Sequence, residues 1–365
     1  MRDPYVDIIK GFGIFTVVTL HSTIFVQEIN YFNLQLFFFV SGFLLNPNKC
    51  VDFGNFFLRK LKTLWKPFVM YNVLFFILHD FFLYINWIIT EPMPQSLTLD
   101  VQMVAPYIDL ISFFHCVANN IFLGQVAPMC GATWFMAPFT INILLFAFLV
   151  HISNGKAKFL LPLLTLGFFI VGTEIVKHKP GLVLYADMAM MLLPLTLAGF
   201  YTKKICNRKN ILLSDLITTY KMPSAIGLIV SVAVFAYLEI NEVIIYLPRY
   251  GIGHWFIFTL AAFAGLCISM FMAKIVLMIE PLKKFFTLIG EESFHIMSLH
   301  FLGFKILNTI IVLLYDLDSR FMSAYTINGA PKFYYVLYIF FGIGTSLLLR
   351  KIYKKFFEGR IFNET

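Results

Sequence analysis

The chain has 365 residues, of which 59% are hydrophobic, 18% aromatic and only 13% charged. A soluble domain of this size carries more charge, so the composition excludes a soluble globular protein and is typical of a polytopic membrane protein. The formal net charge of +8 is spread among short loops and does not gather on one face, which argues against nucleic-acid binding.

The first apolar segment, at about residues 8–26, has ionisable side chains along one face. With about 100° of rotation per residue, a helix places Asp7, Lys10 and His21 within roughly 60° of one another. Ionisable groups are costly inside a membrane and usually face a bundle interior or a wet cavity. A single histidine there is more often a packing residue, but three aligned ionisable residues favour a functional stripe.

The second apolar segment, residues 31–46, contains the run Leu-Phe-Phe-Phe-Val-Ser41-Gly42-Phe-Leu, in which Gly42 is expected to permit close helix approach. Preceded by an acid, a Lys-Gly pair and a histidine, this run resembles the first block of the acyltransferase-3 family of membrane O-acyltransferases. Later pieces match in order: Arg59-Lys60-x-Lys62 before Trp65-Lys66-Pro67, Thr133-Trp134-Phe135-Met136, and Gly290-x-x-Ser293 to His300. Lys10 stands where many members have Arg, and a lysine cannot make the bidentate contact of a guanidinium.

The resemblance implies an enzyme that moves an acyl group, most often acetyl, from cytosolic acyl-CoA to a hydroxyl of a cell-surface polysaccharide or polyprenyl-linked sugar. Acyl-CoA is then a co-substrate, and we expect no tightly bound cofactor, no metal and no nucleic-acid partner. The candidate residues are His21 and Asp7 for catalysis, Lys10, Arg59, Lys60 and Lys62 for acyl-CoA binding, and Ser41, Trp134, Ser293, His300 and Lys305 for the acceptor site or its support.

His21 is the candidate general base for this reaction. Acyl transfer to a hydroxyl needs a base, and the imidazole pKa lies near neutral pH. Both direct attack by the acceptor and a transiently acetylated His21 remain open. Asp7 lies about 20 Å along the helix from His21, at ~1.5 Å per residue, so we expect it to balance Lys10 or another cation. Lys10 either contacts CoA or only pairs with Asp7.

Residues 50–66 do not form a span. Aromatic and basic residues alternate there at helical spacing, which predicts an amphipathic helix at the cytoplasmic membrane surface. Its basic residues have two open interpretations: they fix topology and attract anionic lipid, or they also dock the phosphates of CoA.

Hydropathy predicts an all-α protein with about ten spans by the ~20-residue criterion. Their approximate limits are 8–26, 31–46, 67–90, 134–152, 159–176, 182–201, 223–240, 254–279, 293–315 and 333–350. We see no appended soluble domain, so residues 1–365 are expected to form a single membrane-embedded domain. Within the ninth span, Lys305 is an isolated charge for which Glu174 or Glu239 is the expected partner.

Basic loops stay in the cytoplasm, and they predict that both termini are cytoplasmic in a bacterial inner membrane. The inward loops and tail carry Lys49, Arg59, Lys60, Lys62, Lys66, Lys156, Lys158, Lys203, Lys204, Arg208, Lys209, Lys283, Lys284, Arg350, Lys351, Lys354, Lys355 and Arg360. The outward loops carry fewer cations: Lys177, Lys179, Arg249, Arg320 and Lys332. The long loop at 91–133 has no Lys or Arg and is expected to lie outside. Cys116 and Cys130 in this loop are the one plausible disulfide, although the sequence alone favours two unpaired thiols and leaves the pairing open.

Two other functions fit the composition. A transporter or flippase for a glycan or lipid carrier would also have buried charges such as Lys305, Glu174 and Asp187. Against it, the sequence has no paired broken helices and no repeated halves. A non-catalytic membrane partner of a glycan-synthesis complex is the third interpretation.

Overall fold

The computed structural model describes residues 3–23, 29–95, 100–154, 159–178, 181–243, 255–327 and 333–355. Within these ranges the chain is helical, and its only β pairing is two isolated bridges, Ile89 with Val104 and Gln102 with Ala324. The predicted all-α class is therefore confirmed. Six of the basic residues behind the predicted orientation lie outside the described ranges: Lys156, Lys158, Lys179, Arg249, Lys332 and Arg360.

The α-helices of six or more residues are numbered in chain order. They are α1 (Pro4–His21), α2 (Gln35–Leu44), α3 (Phe53–Lys60), α4 (Lys66–Ile77), α5 (His79–Tyr84), α6 (Leu110–Leu123), α7 (Met136–Ser153), α8 (Leu160–His178), α9 (Ala186–Met191), α10 (Leu193–Lys209), α11 (Lys221–Ile240), α12 (Trp255–Met278), α13 (Glu280–Glu291), α14 (Ser293–Tyr315) and α15 (Phe333–Tyr353).

Six helical stretches of the described chain are long and apolar enough to cross a membrane. They are Leu110–Ser153, Leu160–His178, Lys221–Ile240, Trp255–Met278, Ser293–Tyr315 and Tyr334–Tyr353. A bent pair, Val183–Met191 with Leu193–Lys209, makes a seventh if its 55° break lies within one span. The chain is thus a multi-pass membrane protein, with fewer continuous spans by length and composition than the ten expected.

The difference arises where apolar sequence is not continuous helix. Helix α1 ends at a turn through Thr23, whose φ is 66°. Helix α2 has only 10 residues, because residues 31–34 form turns before it and the chain becomes extended at Leu45. The predicted span at 67–90 is divided into α4 and α5 at Leu78. Hydropathy counts apolar residues and does not register these breaks.

The chain divides into two compact units that alternate along the sequence. The first unit comprises Met1–Gly13, Gln27–Phe68 and Phe135–Glu291. The second comprises Ile14–Val26, Val69–Trp134 and Glu292–Thr365. Helix α1 therefore contributes its first turns to one unit and its last turns to the other.

In the first unit, α2 packs along α10 through two glycines. A Cβ at Gly42 would lie 1.9 Å from the carbonyl oxygen of Thr196, and a Cβ at Gly199 would lie 2.0 Å from that of Phe39. No side chain fits at such distances, so only glycine allows the two backbones to approach this closely. The close approach predicted at Gly42 is confirmed.

The basic segment of the first unit begins with α3, whose N-terminus is capped by Asp52. The Asp52 carboxylate accepts a hydrogen bond from the Asn55 amide at 3.0 Å. A π-helical turn, Leu61–Trp65, joins α3 to α4. Phe56 is buried, whereas Arg59 and Lys62 are exposed, as expected for an amphipathic helix.

In the second unit, α14 and α15 form the main helix pair. The stretch predicted as the outer loop, 91–133, is not a simple loop. It contains α6, which Asp109 caps through the Ser112 amide at 2.7 Å and which ends at Gly124 in the left-handed conformation. The sequence did not indicate this helix because its 14 residues are too few for a span.

The predicted disulfide within this stretch is wrong, since Cys116 and Cys130 are both free. Cys130 is buried, with its sulfur 3.7 Å from the carbonyl oxygen of Ser298 and 3.5 Å from the Thr133 hydroxyl. Cys116 lies on α6 and is only partly buried. The sequence placed both cysteines in one loop, but it did not reveal that a helix holds one and a buried 3₁₀ segment the other.

Candidate active site

His21 lies in the second unit among aromatic rings from two other elements. Its ring centroid is 5.3 Å from that of His300 and 5.0 Å from that of Phe301, both on α14. The ring of Tyr325 lies 6.4 Å away at an interplanar angle of 17°. His21 is half-buried, so its imidazole remains within reach of a substrate. We call His21, His300, Phe301 and Tyr325 the imidazole site.

His300 is fully buried in this site, and its hydrogen bonds assign its tautomer. Its Nδ1 lies 3.0 Å from the carbonyl oxygens of both Ile296 and Met297. Carbonyl oxygens only accept, so Nδ1 carries the proton and Nε2 of the neutral ring carries a lone pair. That Nε2 is buried and makes no hydrogen bond with any described residue. The imidazole site thus contains an acceptor that a hydroxyl could use.

Tyr325 is held in place by a network at the segment that precedes it. The Lys305 ammonium donates to the carbonyl oxygens of Ser323 at 2.6 Å and Ala324 at 2.8 Å. The Asn308 amide also donates to the Ala324 carbonyl, at 2.7 Å. The Tyr325 amide itself donates to the carbonyl of Val101 at 2.9 Å. Lys305 therefore supports the imidazole site by fixing the backbone that carries Tyr325.

The acidic partner expected for Lys305 is wrong. Lys305 is fully buried, and within the described chain its amino group donates hydrogen bonds to the backbone carbonyls of Ser323 and Ala324. Glu174 pairs instead with Lys177 at 3.5 Å and with His178 at 3.3 Å, on an exposed surface. Two backbone carbonyl oxygens therefore take the place of the expected acid as acceptors for the Lys305 amino group.

A cavity of about 450 Å³ in the first unit contains most of the predicted acyl-CoA residues. Its lining includes the side chains of Lys10, Lys49, Arg59 and Lys60, and no acid. Ser41 lines the same cavity, although the sequence placed it with the acceptor. Burial, together with the charge of Arg59, lowers the pKa of Lys60. Because its cations repel one another, this cation cavity favours an anionic ligand.

Asp7 and Lys10 form an ion pair in the first unit, with Lys10 Nζ 2.7 Å from Asp7 Oδ1. Asp7 is buried, and the pair is consistent with the charge balance expected from the sequence. A Cβ at Gly290 would lie 1.9 Å from the Asp7 carbonyl oxygen. The glycine of the Gly-x-x-Ser motif therefore serves the packing of α13 against α1 at this pair.

The remaining predicted site residues lie outside both groups. Lys62 is exposed and is not among the residues that line the cation cavity. Trp134, in the 3₁₀ helix Pro128–Phe135, and Ser293, the first residue of α14, are both half-buried. Their roles stay predictions. The sequence motifs did not single out Phe301 or Tyr325 as site residues. Phe301 could have been found because it directly follows His300, whereas no local sequence pattern distinguishes Tyr325.

A second polar cluster in the second unit surrounds Glu292, just before α14. Its carboxylate accepts hydrogen bonds from Arg350 at 3.3 Å and from Lys354. His295 Nε2 lies 3.7 Å from the same carboxylate, and His295 Nδ1 lies 2.6 Å from the Tyr71 hydroxyl. Burial raises the pKa of Glu292, but the Lys354 hydrogen bond and the neighbouring positive charges outweigh it and hold the pKa below its ordinary value.

Comparison with known proteins gives one match. The sequence model of the acyltransferase-3 family, described as an acyltransferase domain, matches residues 3–356. Neither the comparison with curated proteins nor that with solved structures gives a match.

Proposed function

The chain belongs to the acyltransferase-3 family, and on that premise we propose that it transfers an acyl group, most often acetyl, from cytosolic acyl-CoA to a hydroxyl of a cell-surface polysaccharide or polyprenyl-linked sugar. The family establishes a membrane acyltransferase. The donor, the acceptor and the inner-membrane location are the proposal.

The cation cavity is the observation that supports acyl-CoA as the donor. CoA has a pyrophosphate and a ribose phosphate, and these bind best where several cations converge in partly desolvated surroundings. Lys49, Arg59 and Lys60 supply such charges, and Lys10 adds one that Asp7 partly balances. Arg59 can contact a phosphate through two nitrogens, whereas each lysine acts as a point charge.

The imidazole site supplies the chemistry. As the acceptor oxygen bonds to the thioester carbon, its proton passes to His21, the C–S bond breaks, and the proton returns to the thiolate. The alternative route places the acetyl group on His21 before the acceptor takes it. His300 Nε2, buried and unpaired among the described residues, can accept a hydrogen bond from a hydroxyl in either route.

The three charged residues that suggested a transporter, Lys305, Glu174 and Asp187, each have a structural role. Lys305 holds a backbone segment, and the Asp187 carboxylate accepts hydrogen bonds from the amides of Gly181 at 2.8 Å and Met188 at 2.9 Å. Glu174 pairs on the surface. Because these charges have structural roles, they are not evidence for a transport pathway. This favours an acyltransferase over a transporter.

The test of the proposed function uses the purified protein in nanodiscs with radiolabelled acetyl-CoA. We expect slow release of CoA thiol without acceptor, and label transfer to membranes of a deletion strain. A protein that does neither would contradict the acetyl-CoA donor.

Replacement of cavity cations tests where the donor binds. We expect Arg59→Gln with Lys60→Gln to raise the KM for acetyl-CoA about tenfold, since a charge-assisted contact is worth ~1.5–3 kcal/mol and less where solvent screens it. The matched pair Lys62→Gln with Lys66→Gln removes two charges from outside the cavity lining. An unchanged KM for acetyl-CoA in the Arg59→Gln, Lys60→Gln variant at normal membrane levels would mean that these cations act only on topology.

A further inference from the structure

A second cavity in the first unit adjoins the cation cavity. It has a volume of about 650 Å³, and the two cavities share Lys10 and Leu44 as lining residues. Its remaining lining comes from the start of the chain, from Phe43 of α2, from the end of α10 and from the segment that follows α10. Apart from Lys10 and Asp7, the residues that line this second cavity have no role in the proposed function.

The two cavities differ in charge. The cation cavity has four basic residues and no acid in its lining. The second has three acids, Asp3, Asp7 and Asp215, against two bases, Lys10 and Lys203. We call it the mixed-charge cavity. Asp7 pairs with Lys10 at 2.7 Å and Asp215 pairs with Lys274 at 3.6 Å, so the charges of this cavity are nearly balanced and attract a polyanion less than the cation cavity does. Carboxylate oxygens only accept hydrogen bonds, so the ligand that suits this cavity is a neutral polar group that donates them.

We propose that the mixed-charge cavity binds the adenine and ribose of the CoA nucleotide while the phosphates occupy the cation cavity. This inference rests on the proposed function, because it assumes a CoA donor. The shared Lys10 is the point where a single ligand passes from one cavity to the other. The division of charge between the cavities matches the division of CoA into a polyanionic part and a neutral base.

The side chains at the end of α10 suit an adenine ring. Asn207 and Asn210 line the mixed-charge cavity, and both are exposed. An asparagine amide can donate to N7 and accept from the N6 amino group of adenine at once. The Asp3 and Asp215 carboxylates can accept from the same amino group or from a ribose hydroxyl. These contacts recognise the N6 amino group, so a CoA analogue whose nucleobase lacks this group should bind more weakly.

The test compares CoA with 1,N6-etheno-CoA, which keeps every phosphate and loses the N6 amino donor. Binding to the full-length protein in nanodiscs is measured by calorimetry. We expect the wild type to bind CoA about fivefold more tightly than etheno-CoA, the usual effect of one lost hydrogen bond. Asn207→Ala with Asn210→Gly should weaken CoA more than etheno-CoA, because etheno-CoA keeps N7 but has no N6 amino group to lose, and so should reduce the fivefold difference. Glycine is used at 210 because the φ of Asn210 is 52°.

Lys49→Gln is the matched control, because Lys49 lines only the cation cavity. It should weaken both ligands by the same factor. Equal wild-type affinities, or an undiminished difference between the two ligands in the asparagine variant, would overturn the adenine subsite and leave the proposed function intact. Absence of any CoA binding to the wild type would overturn both. Asn207→Ala alone, on an exposed helical position, repeats the comparison if the double variant does not fold.

Discussion

His21 combines two properties that a general base in a membrane protein needs. It is half-buried, so a substrate can reach it, and its neighbours are aromatic rings and His300. The His21 ring makes no hydrogen bond with any described residue, so the ring is not committed to a structural partner.

We expect replacement of His21 to abolish most acyl transfer without unfolding the protein. His21→Ala should lower acceptor acylation by roughly 10²–10⁴-fold, the usual contribution of positioned acid–base catalysis. His21→Gln keeps a hydrogen-bonding side chain but cannot take the proton, so it should be nearly as inactive. Transfer assays at matched protein abundance measure both. An active glutamine variant would remove His21 from the mechanism.

For Lys305 we expect an effect on both stability and the imidazole site. Lys305→Met keeps the length of the side chain and leaves the carbonyls of Ser323 and Ala324 without their ammonium donor. The loss should cost roughly 1–3 kcal/mol of unfolding free energy and reduce transfer, because the same segment positions Tyr325. Tyr325→Ala, which leaves the network intact, should reduce transfer at a nearly unchanged thermal midpoint. Full activity in both variants would mean that Tyr325 has no part in the site.

The residues of the imidazole site were only partly predictable. His21 and His300 carry a side chain that is rare inside membrane helices, so each is visible in the sequence. Tyr325 lies in a segment without helical or strand periodicity, and its position depends on hydrogen bonds from Lys305 and Asn308. Such contacts between distant residues cannot be read from local sequence.

Among the helices, the long apolar ones were predictable and the interrupted ones were not. Helices α11, α12 and α14 match the predicted spans within a few residues. Helix α2 is shorter than predicted because residues 31–34 form turns and the chain is extended at Leu45. Helices α9 and α10 are separated at Leu192, two residues before Pro194 in the first turn of α10. Breaks of this kind depend on single residues within an otherwise apolar run.

The contact between α14 and α15 at Glu292 should make stability depend on pH. The folded-state pKa of Glu292 is below its ordinary value of 4.5. A lowered carboxyl pKa contributes stability above the unfolded pKa, and this contribution is lost as the pH falls through the folded pKa. We expect Glu292→Gln to lower the free energy of unfolding by roughly 1–3 kcal/mol at pH 7 and by much less in acid below its pKa.

Thermal midpoints of the wild type and Glu292→Gln at several pH values measure this difference. Glu280→Gln is a suitable comparison, because the ion pairs of Glu280 with Lys283 and Lys284 are exposed. A constant difference between wild type and Glu292→Gln across the acid range would mean that the charge of Glu292 does not stabilise the helix pair.

At the scale of the whole molecule, the charge asymmetry predicts the orientation in the membrane. Reporter fusions after Lys62, Asp109 and Lys204 should report inside, outside and inside, because basic segments are retained in the cytoplasm. An outward signal at Lys62 would reverse the orientation and place the cation cavity on the side without CoA.

The division into two units could not be predicted from the sequence. Each unit is assembled from three separate stretches of chain, and the first helix belongs to both. Hydropathy and periodicity describe one segment at a time, so they indicate the helices and not their grouping.

The glycine crossing of α2 and α10 has a consequence for genetic screens. Even alanine at Gly42 or Gly199 would force the two backbones apart, since each Cβ would overlap a carbonyl oxygen. A scan of all substitutions scored by acyl transfer would therefore report these positions to be as intolerant as His21. Scoring the same library by protein abundance would separate them, because the glycine variants should disappear from the membrane whereas His21 variants remain.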